Sequence, residues 1–285
     1  MNTGVYKESL NIAKQVNLVA NGTVNINGVS ISGNAVKIQG FTITDNYGIV
    51  LSNTNGVNIL NNIIHSTLNG ISDVGTNLNL IISGNTIIGS NPKYGNGMAF
   101  EGMTNNAQIL NNKISNTLHG ILFNVASTNN IISGNTVQGN GLLSSSDSID
   151  VQGAGIYTVD GSTNFQILNN VVTGERDGIA VQQIGSGTAS GFTISGNILT
   201  NNLNAIWLTL SNSVITKNTL SNNNEGIDIV GNNNMISLNI ITNNRVVGIA
   251  ITTKKNTDTN TVSGNTLSGN QGNYYIVGPG KVIGM

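Results

Sequence analysis

The feature that most constrains the fold is a short unit that recurs along nearly the whole chain. The copy at residues 131–137 reads Ile-Ile-Ser-Gly-Asn-Thr-Val, and most copies have an apolar residue three before and another two after an anchor Asn. The anchors are Asn62, Asn85, Asn112, Asn135, Asn170, Asn197, Asn218, Asn239 and Asn265. Their spacing indicates a base unit of about 21 to 23 residues with insertions, and a period of this size predicts a solenoid.

A second signal, a small residue followed directly by an apolar one, lies mostly eight residues after the anchor. Its copies are Gly70-Ile71, Gly97-Met98, Gly120-Ile121, Gly155-Ile156, Gly178-Ile179, Ala205-Ile206, Gly226-Ile227 and Gly248-Ile249. Each unit therefore holds three short runs with apolar residues at alternate positions, separated by Asn and Gly. This pattern predicts short strands joined by tight corners, and the scarcity of helix formers disfavours helix.

Three strands per turn, each with Ile or Val facing inward, predict a parallel β-helix. We expect about ten rungs, which at about 4.8 Å per rung make a rod about 48 Å long. The anchor Asn is expected at a sharp corner, where a short amide tolerates unusual backbone angles. Its side chain is also expected to bond to the rungs above and below, as a ladder of buried amides. Phe41 takes the anchor place in an early copy and is predicted to plug the start of that ladder.

The repeat resembles that of the right-handed parallel β-helices of pectate-lyase-like proteins and of the NosD-like repeat family. The resemblance covers roughly residues 5 to 267, and residues 4–8, Gly-Val-Tyr-Lys-Glu, resemble the opening rung of NosD-like repeats. It implies an all-β, single-stranded, right-handed pectin lyase-like fold and is unspecific for function. We expect one domain over 1–285, with N-terminal rungs at 1–40, regular rungs at 41–267 and a C-terminal segment at 268–285. That segment is either a cap or an oligomer contact, and the helix ends are a second route to an oligomer.

Composition excludes several classes of protein. Charged residues make up 8% and the net charge is −1, so no basic patch is available to bind nucleic acid. The chain contains no run of 18 apolar residues, so no membrane span is predicted. Without Cys and with two His, disulfides and a multi-histidine zinc site are excluded within one chain. No signal peptide is recognised, and we expect an extracellular, cell-surface or virion-associated protein.

Insertions into the repeat mark where function is expected. Residues 89–96 and 139–153, the latter with Asp147 and Asp150, lengthen the same corner on either side of the Gly120 rung. The glycine-rich residues 185–191 lack the strand-then-helix context of a nucleotide loop. Residues 254–258, with two lysines, are predicted to be a solvated corner.

Alternation places the residue two after each repeat Gly on the outer face, so Tyr157, Trp207 and Asp228 are expected in one outer column. His119, Asp177 and Glu225, which precede the Gly, form a neighbouring column. In pectate-lyase-like helices the substrate cleft follows one outer sheet face beside long corner loops, and the resemblance implies a cleft here. The catalytic candidates are Asp177, Glu225, Arg176 and His119. The substrate-binding candidates are Trp207, Tyr157, Glu175, Asp150 and Gln182.

Several roles stay open for these residues. Asp177 and Glu225 are either solvated corner residues, cation ligands or an inverting glycosidase pair, since two rungs separate their backbones by about 10 Å. Arg176 is a candidate lyase base or a bidentate partner for a substrate carboxylate. Trp207 either stacks on sugar or packs under a loop. No cofactor is required; Ca²⁺ is an alternative, with Asp228 as the candidate metal ligand.

Two functions from different classes follow. The first is an extracellular carbohydrate-binding or carbohydrate-active β-helix of lyase, hydrolase or epimerase type, with a polysaccharide as partner. The second is a non-catalytic scaffold such as a spike, an adhesin or a surface-layer module. Localised insertions and the acidic cluster at residues 175–177 favour the first, whereas low charge and regular rungs favour the second.

Overall fold

The chain winds as a parallel β-helix. The computed structural model describes residues 1–139 and 153–285, and every regular element within these ranges is a β-strand. Successive strands enter three parallel sheets in turn, which we name A, B and C in chain order. Twelve strands succeed one another along each sheet in the described residues, close to the predicted ten rungs, so the predicted fold class is confirmed. The described part of the chain contains no helix of the length and apolarity needed to cross a membrane.

The strands have the following bounds. Sheet A contains Asn2–Tyr6, Asn21–Ile26, Thr42–Asp45, Ile63–Ser66, Thr86–Gly89, Lys113–Ser115, Thr136–Gln138, Val171–Thr173, Ile198–Thr200, Thr219–Ser221, Ile240–Thr242 and Thr266–Ser268. Sheet B contains Leu10–Ile12, Val29–Ile31, Ile49–Ser52, Asn69–Val74, Asn96–Phe100, Ile121–Phe123, Ala154–Val159, Asp177–Gln182, Asn204–Ser211, Glu225–Val230, Val247–Thr252 and Gly272–Val277, with Ala189–Ser190 paired to one of them. Sheet C contains Asn17–Val19, Lys37–Gln39, Asn58–Leu60, Ile81–Ser83, Gln108–Leu110, Ile131–Ser133, Gln166–Leu168, Thr193–Ser195, Val214–Thr216, Met235–Ser237, Thr259–Ser263 and Lys281–Ile283. Thr76–Leu78 and Met103–Asn105 form a separate two-stranded sheet.

The core is a set of columns of aliphatic side chains. In sheet C, Ile82, Ile109 and Ile132 pair in register and are fully buried, as the repeat predicts. Near the corner between sheets B and C the core becomes aromatic, with ring centroids of neighbouring phenylalanines 4.5 to 5.2 Å apart. These residues are Phe100, Phe123, Phe165 and Phe192. Burial of apolar area at roughly 25 cal/mol per Å² is the main source of stability in such a column.

The predicted amide ladder is present at the corner between sheets C and A. Asn112 uses its full hydrogen-bonding capacity: its Oδ1 accepts from the backbone N–H and the Nδ2 of Asn85, at 2.9 and 3.0 Å. Its Nδ2 donates to the Ile82 carbonyl and to Asn135 Oδ1, both at 2.9 Å. The first amide in this series, Asn62, accepts the Phe41 backbone N–H at 3.0 Å, and Phe41 is buried beneath it. Each buried amide is therefore satisfied without water.

The unusual backbone angles lie one residue before the anchors, so the prediction that the anchors themselves adopt them is wrong. Asn61, Asn111 and Asn169 have φ of 53°, 54° and 54°, and Gly84 and Gly134 have 68° in the equivalent place. The residue with positive φ turns the chain, which leaves the following anchor free to point its amide into the ladder.

A second ladder stands at the corner between sheets A and B. Asn202, Asn223 and Asn244 each donate from Nδ2 to the Oδ1 of the next member, at 3.2, 3.1 and 2.8 Å, and Asn270 receives the last bond. This column is not among the features predicted from the repeat. It aligns the later rungs at the edge where the sheet B strands begin.

The repeat glycines at the start of the sheet B strands lie where rungs approach closely. A Cβ on Gly97 would lie 2.4 Å from Ile114 Cγ2 and 2.5 Å from the Gly120 carbonyl oxygen. The Gly in the second repeat signal is therefore a requirement for space rather than for a positive φ. At the far end, Gly272–Val277 and Lys281–Ile283 extend sheets B and C, and in this last rung Tyr275 is 64% exposed.

Candidate functional site

The outer face of sheet B carries a short aromatic surface. Register places Tyr157, Ala180, Trp207 and Asp228 in successive rungs of one outward-facing column, which confirms the predicted shared column of Tyr157, Trp207 and Asp228. Tyr157 and Trp207 are half-buried, and Ala180 between them is fully buried. Ala180 has a small side chain and lies in register between the two aromatic residues, and we call these three residues the aromatic floor.

A cavity of about 470 Å³, the main cleft, opens on the aromatic floor. It brings together six of the predicted site residues, which are His119, Tyr157, Arg176, Asp177, Gln182 and Trp207. Its volume lies within the range of about 300 to 1,000 Å³ that is usual for small-molecule sites. Asp150, another predicted site residue, and Asp147 lie outside the described residues.

Asp177 is the best-connected acid of the main cleft. It is 5% exposed, so the interpretation of this residue as a solvated corner residue is wrong. Asn204 Nδ2 donates to its Oδ1 at 2.7 Å, and Arg176 Nε lies 3.8 Å from its Oδ2. Burial raises the pKa of Asp177, whereas the Asn204 hydrogen bond and the Arg176 charge act in the opposite direction. The geometry therefore holds a carboxyl of raised pKa beside a guanidinium.

Glu225 and Asp228 continue the acidic surface beyond the main cleft. Register through Asn204 places Glu225 two rungs from Asp177, as predicted, or about 10 Å between backbones. The pKa of Glu225 is raised by burial and then by the charges of Asp228 and Asp177, and burial raises the pKa of Asp228. Neither residue lines the main cleft. They lie beside it on the same sheet.

His119 is held by its backbone environment. Its Nδ1 accepts the Ala154 N–H at 3.0 Å, and its ring centroid lies 5.5 Å from that of Tyr157. Burial lowers the pKa of His119 to about 4, so the ring is neutral at pH 7. With Nδ1 accepting, the ring proton is on Nε2, and the side chain can offer a hydrogen-bond donor. This arrangement disfavours His119 as a general base.

Tyr157 and Gln182 act as a pair. The Tyr157 hydroxyl donates a hydrogen bond to Gln182 Oε1 on the neighbouring strand. The pKa of Tyr157 is raised by burial, then by the charges of Asp177 and Asp160, so the phenol is protonated at neutral pH. Gln182 thereby fixes the ring that forms one end of the aromatic floor.

Glu175 is placed differently from the prediction. It is 4% exposed and does not line the main cleft, so its assignment as a substrate-binding residue is not supported by its position. Its backbone N–H donates to Asn202 Oδ1 at 2.9 Å, which places it one rung before the second ladder, where its side chain is turned under the corner. Among the described residues its Oε1 has no hydrogen-bond partner, and burial followed by the Asp177 charge raises the pKa of Glu175 well above its ordinary value.

The described residues offer no cluster of metal ligands, and one further residue, Asn204, belongs to the candidate site. Within residues 1–139 and 153–285, no group of three or more His, Asp or Glu side chains is placed to hold a metal ion. Asn204 is a site residue to which sequence reasoning assigned no role, although it lies in the same register column as Asp177 and Glu225. The main cleft can offer hydrogen-bond donors, a guanidinium, one carboxyl of raised pKa and an aromatic surface.

The chain belongs to the right-handed β-helix family, because the family model described as "Right handed beta helix region" matches residues 24–188. The model described as "Periplasmic copper-binding protein (NosD)" matches residues 143–283. These matches confirm the resemblance to pectate-lyase-like and NosD-like repeats. No curated protein matches the chain significantly.

Solved structures with the same fold belong to several functional classes. The surface adhesin PfbA of Streptococcus pneumoniae is similar with a TM-score of 0.69 and 16% identity, over 96% of this chain and 84% of that one. The A-module of the Azotobacter vinelandii mannuronan C-5 epimerase AlgE6 has a TM-score of 0.67 and 15% identity, over 99% and 88%. The Dettilon tailspike protein has a TM-score of 0.61 and 13% identity, and the match covers 96% of this chain and 62% of that one. At these identities the likeness shows the fold alone.

Proposed function

We propose that the protein is a carbohydrate-active β-helix that binds a polysaccharide in the main cleft, in an extracellular, periplasmic or cell-surface setting. The observation that carries the proposal is the aromatic floor beside the Arg176–Asp177 pair. Aromatic faces bind the apolar faces of sugar rings, and a guanidinium and a carboxyl supply directed polar contacts. The periplasmic description of the NosD model and the epimerase and adhesin among similar structures support this setting and ligand class.

In the proposed reaction Asp177 is the general acid. A carboxyl with a raised pKa can deliver a proton to a leaving glycosidic oxygen, and Glu225, two rungs away, is the candidate base for water in an inverting hydrolysis. If the sugar carries a carboxylate, Arg176 is the group that pairs with it. The product distinguishes the reactions, because hydrolysis yields new reducing ends and elimination yields unsaturated sugars.

We expect the Trp207→Ala protein to bind the recognised glycan at least about tenfold more weakly, because half of the aromatic floor is removed. Calorimetric titration against a panel of neutral and uronate-containing oligosaccharides measures this. Tyr47→Ala is the matched control, since Tyr47 is an exposed aromatic residue away from the main cleft. Equal affinities of all three proteins, or binding of no glycan by the unmodified protein, would overturn the proposal.

Asp177→Asn separates turnover from binding. For a proton donor we expect turnover to fall about 10² to 10⁴-fold while glycan affinity is retained. Glu8→Gln, which alters an exposed acid in the first rung, is expected to change neither. Binding without turnover by the unmodified protein would favour the second candidate function, a non-catalytic adhesin or spike, which the regular rungs and the similarity to PfbA and the tailspike support.

A further inference from the structure

A second cavity, of about 260 Å³, lies at the corner between sheets B and C. Gln183 and Gly187 bound it on one side, Lys254 and Lys255 on the other, and Thr209 contributes to its floor. We call this cavity the corner trough. Its two sides come from loops three rungs apart, or about 14 Å between backbones, and the intervening rungs have shorter corners.

The glycine-rich side of the corner trough is held in place by a buried acid. Asp160, 9% exposed, accepts the backbone N–H groups of Ile184, Gly185 and Gly187 at 3.2, 3.0 and 2.9 Å. The loop is thus fixed by three charge-assisted hydrogen bonds, and Asp160 itself does not line the trough.

The lysine side is held in the same manner. Asp258, 6% exposed, accepts the backbone N–H groups of Lys254 and Lys255 at 2.8 Å each. The Lys254 ammonium then reaches across the trough and donates to Gln183 Oε1 at 3.2 Å. Both sides are therefore ordered before any ligand arrives, which lowers the entropic cost of binding.

The charge of the corner trough is unbalanced. Across the described residues, Arg176–Asp177 is the one salt bridge, so neither lysine ammonium lies within ion-pairing distance of an acid. Asp258 is the acid that lines the trough, and its carboxylate contacts the backbone N–H groups of Lys254 and Lys255 rather than their ammonium groups. The other described residues that line the trough are uncharged. Two ammonium groups against one carboxylate give the lining itself a net positive charge, while the Asp160 carboxylate behind it is engaged by three backbone N–H groups.

The corner trough lies next to the main cleft along the strands of sheet B. Gln182 lines the cleft and Gln183 the trough, and on the next strand Trp207 lines the cleft while Thr209 lines the trough. Two residues of a strand span about 7 Å. An oligosaccharide that extends from the aromatic floor along this strand therefore reaches the trough with its next sugar unit.

We propose that the corner trough is a subsite for an oxyanion, a carboxylate or sulfate carried by a sugar unit next to the one in the main cleft. This rests on the proposed glycan binding and adds a determinant of specificity to it. A volume of about 260 Å³ falls just below the range of about 300 to 1,000 Å³ for drug-sized ligands, so the trough holds one sugar unit or its charged substituent.

The test is calorimetric titration with three tetrasaccharides of matched length, made of galactose, galacturonic acid or sulfated galactose. We expect Lys254→Gln/Lys255→Gln to weaken binding of an anionic tetrasaccharide about tenfold, the loss of two exposed ion pairs, and to leave the galactose form unchanged. Added salt should reduce the affinity of the unmodified protein toward that of the variant. Lys14→Gln/Lys113→Gln removes the same charge from exposed sites elsewhere and is the matched control.

The outcomes separate the two proposals. A selective loss for the galacturonate form identifies a carboxylate subsite, and one for the sulfated form identifies a sulfate subsite. No loss, an equal loss in the control variant, or binding of neither anionic form overturns the subsite. If Trp207→Ala weakens binding and the lysine variant does not, the proposed function stands without the subsite. If the lysine variant alone weakens binding, the subsite stands and the main cleft fails.

Discussion

At the residue scale, the amide ladder shows how a polar group can stabilise the interior of a solenoid. Asn135 accepts two hydrogen bonds from Asn112 and donates to Asn170 Oδ1 and to the Ile109 carbonyl. When such a side chain is removed, the buried groups that it bonded to lose their hydrogen bonds. The free-energy cost of these unsatisfied groups exceeds the stability that the bonds themselves contribute.

We expect Asn135→Ala to lower the free energy of unfolding by about 3 kcal/mol, because several buried groups lose partners at once. Asn265→Ala is the comparison. Asn265 is the last amide of the series and only half-buried, so water can replace its bonds and about 1 kcal/mol is expected. Urea titration followed by circular dichroism measures both. Equal costs for the two variants would show that position in the ladder is irrelevant.

His119 gives a prediction on pH. Its folded pKa of about 4 lies below the unfolded value of 6.5, so its contribution to stability is complete above pH 6.5 and is lost as pH falls toward 4. The excess stability of the unmodified protein over His119→Gln should therefore decrease by about 2 to 3 kcal/mol between pH 7 and pH 4. Urea titrations at both pH values measure it.

The control for that prediction is His65→Gln, since His65 is exposed on sheet A. Comparing each variant with the unmodified protein at the same pH removes the opposite trend expected of the acids. Burial raises the pKa of Asp73, Glu175 and Asp177, so their contribution falls as pH rises. A pH-independent difference for His119→Gln would show that the ring is not held neutral.

At the scale of the strand, the close approach of one rung to the next is decided by the repeat glycines. A Cβ on Gly120 would lie 2.4 Å from Val137 Cγ1 and 2.5 Å from the Gly155 carbonyl oxygen. The same column contains Ala205, which is fully buried. At that rung the neighbouring backbone therefore leaves room for a Cβ atom.

We expect Gly120→Ala to destabilise the protein by about 2 kcal/mol, because the new methyl group clashes with a backbone oxygen that cannot move away by rotating, as a side chain could. Ala205→Gly is the reciprocal change and should cost about 1 kcal/mol, through lost burial and added chain entropy. Thermal unfolding followed by circular dichroism ranks the two. A milder effect for Gly120→Ala would mean that the rungs separate easily.

The sequence was informative about strands and less so about corners. A strict alternation places Ile82, Ile109 and Ile132 inside, because a one-residue slip would expose every apolar side chain. The second ladder was missed since Asn is common throughout the chain and the column occupies only the last four A-to-B corners. Asp73 lies at an inward position, between Leu51 and Phe100 in register, where alternation predicts an apolar residue.

The candidate site shows the same difference between strand positions, which the sequence predicts, and corner positions, which it does not. Register alone was enough to align Tyr157, Trp207 and Asp228. The burial of Glu175 depends on the corner that it turns under. The contact of Lys254 with Gln183 joins residues 71 apart in sequence, and no local pattern indicates which loops will face each other.

At the scale of the whole molecule, the solenoid distributes its stability unevenly. Each rung contacts mainly its neighbours, so a central rung is covered on both sides and an end rung on one. The phenylalanines whose rings contact one another lie in central rungs, whereas the last strand of sheet B has Tyr274, Tyr275, Ile276 and Val277 at least 39% exposed.

We expect amides of Asn96–Phe100 and Ile121–Phe123 to exchange with solvent on the order of a hundredfold more slowly than those of Asn2–Tyr6 and Gly272–Val277, because end rungs open locally. Hydrogen exchange with mass spectrometry, corrected by the rates of the unfolded chain, measures this. Uniform protection along the chain would instead indicate that the described rungs unfold as one unit.

The single Trp of the chain lies in the main cleft. Its indole emission therefore reports on one place in the molecule, without labelling and with no background from a second indole. A ligand that covers the half-buried Trp207 ring must displace water from it and shift or quench that emission. An added compound can thus be tested for occupancy of the aromatic floor by optical titration, even when it is not converted to product.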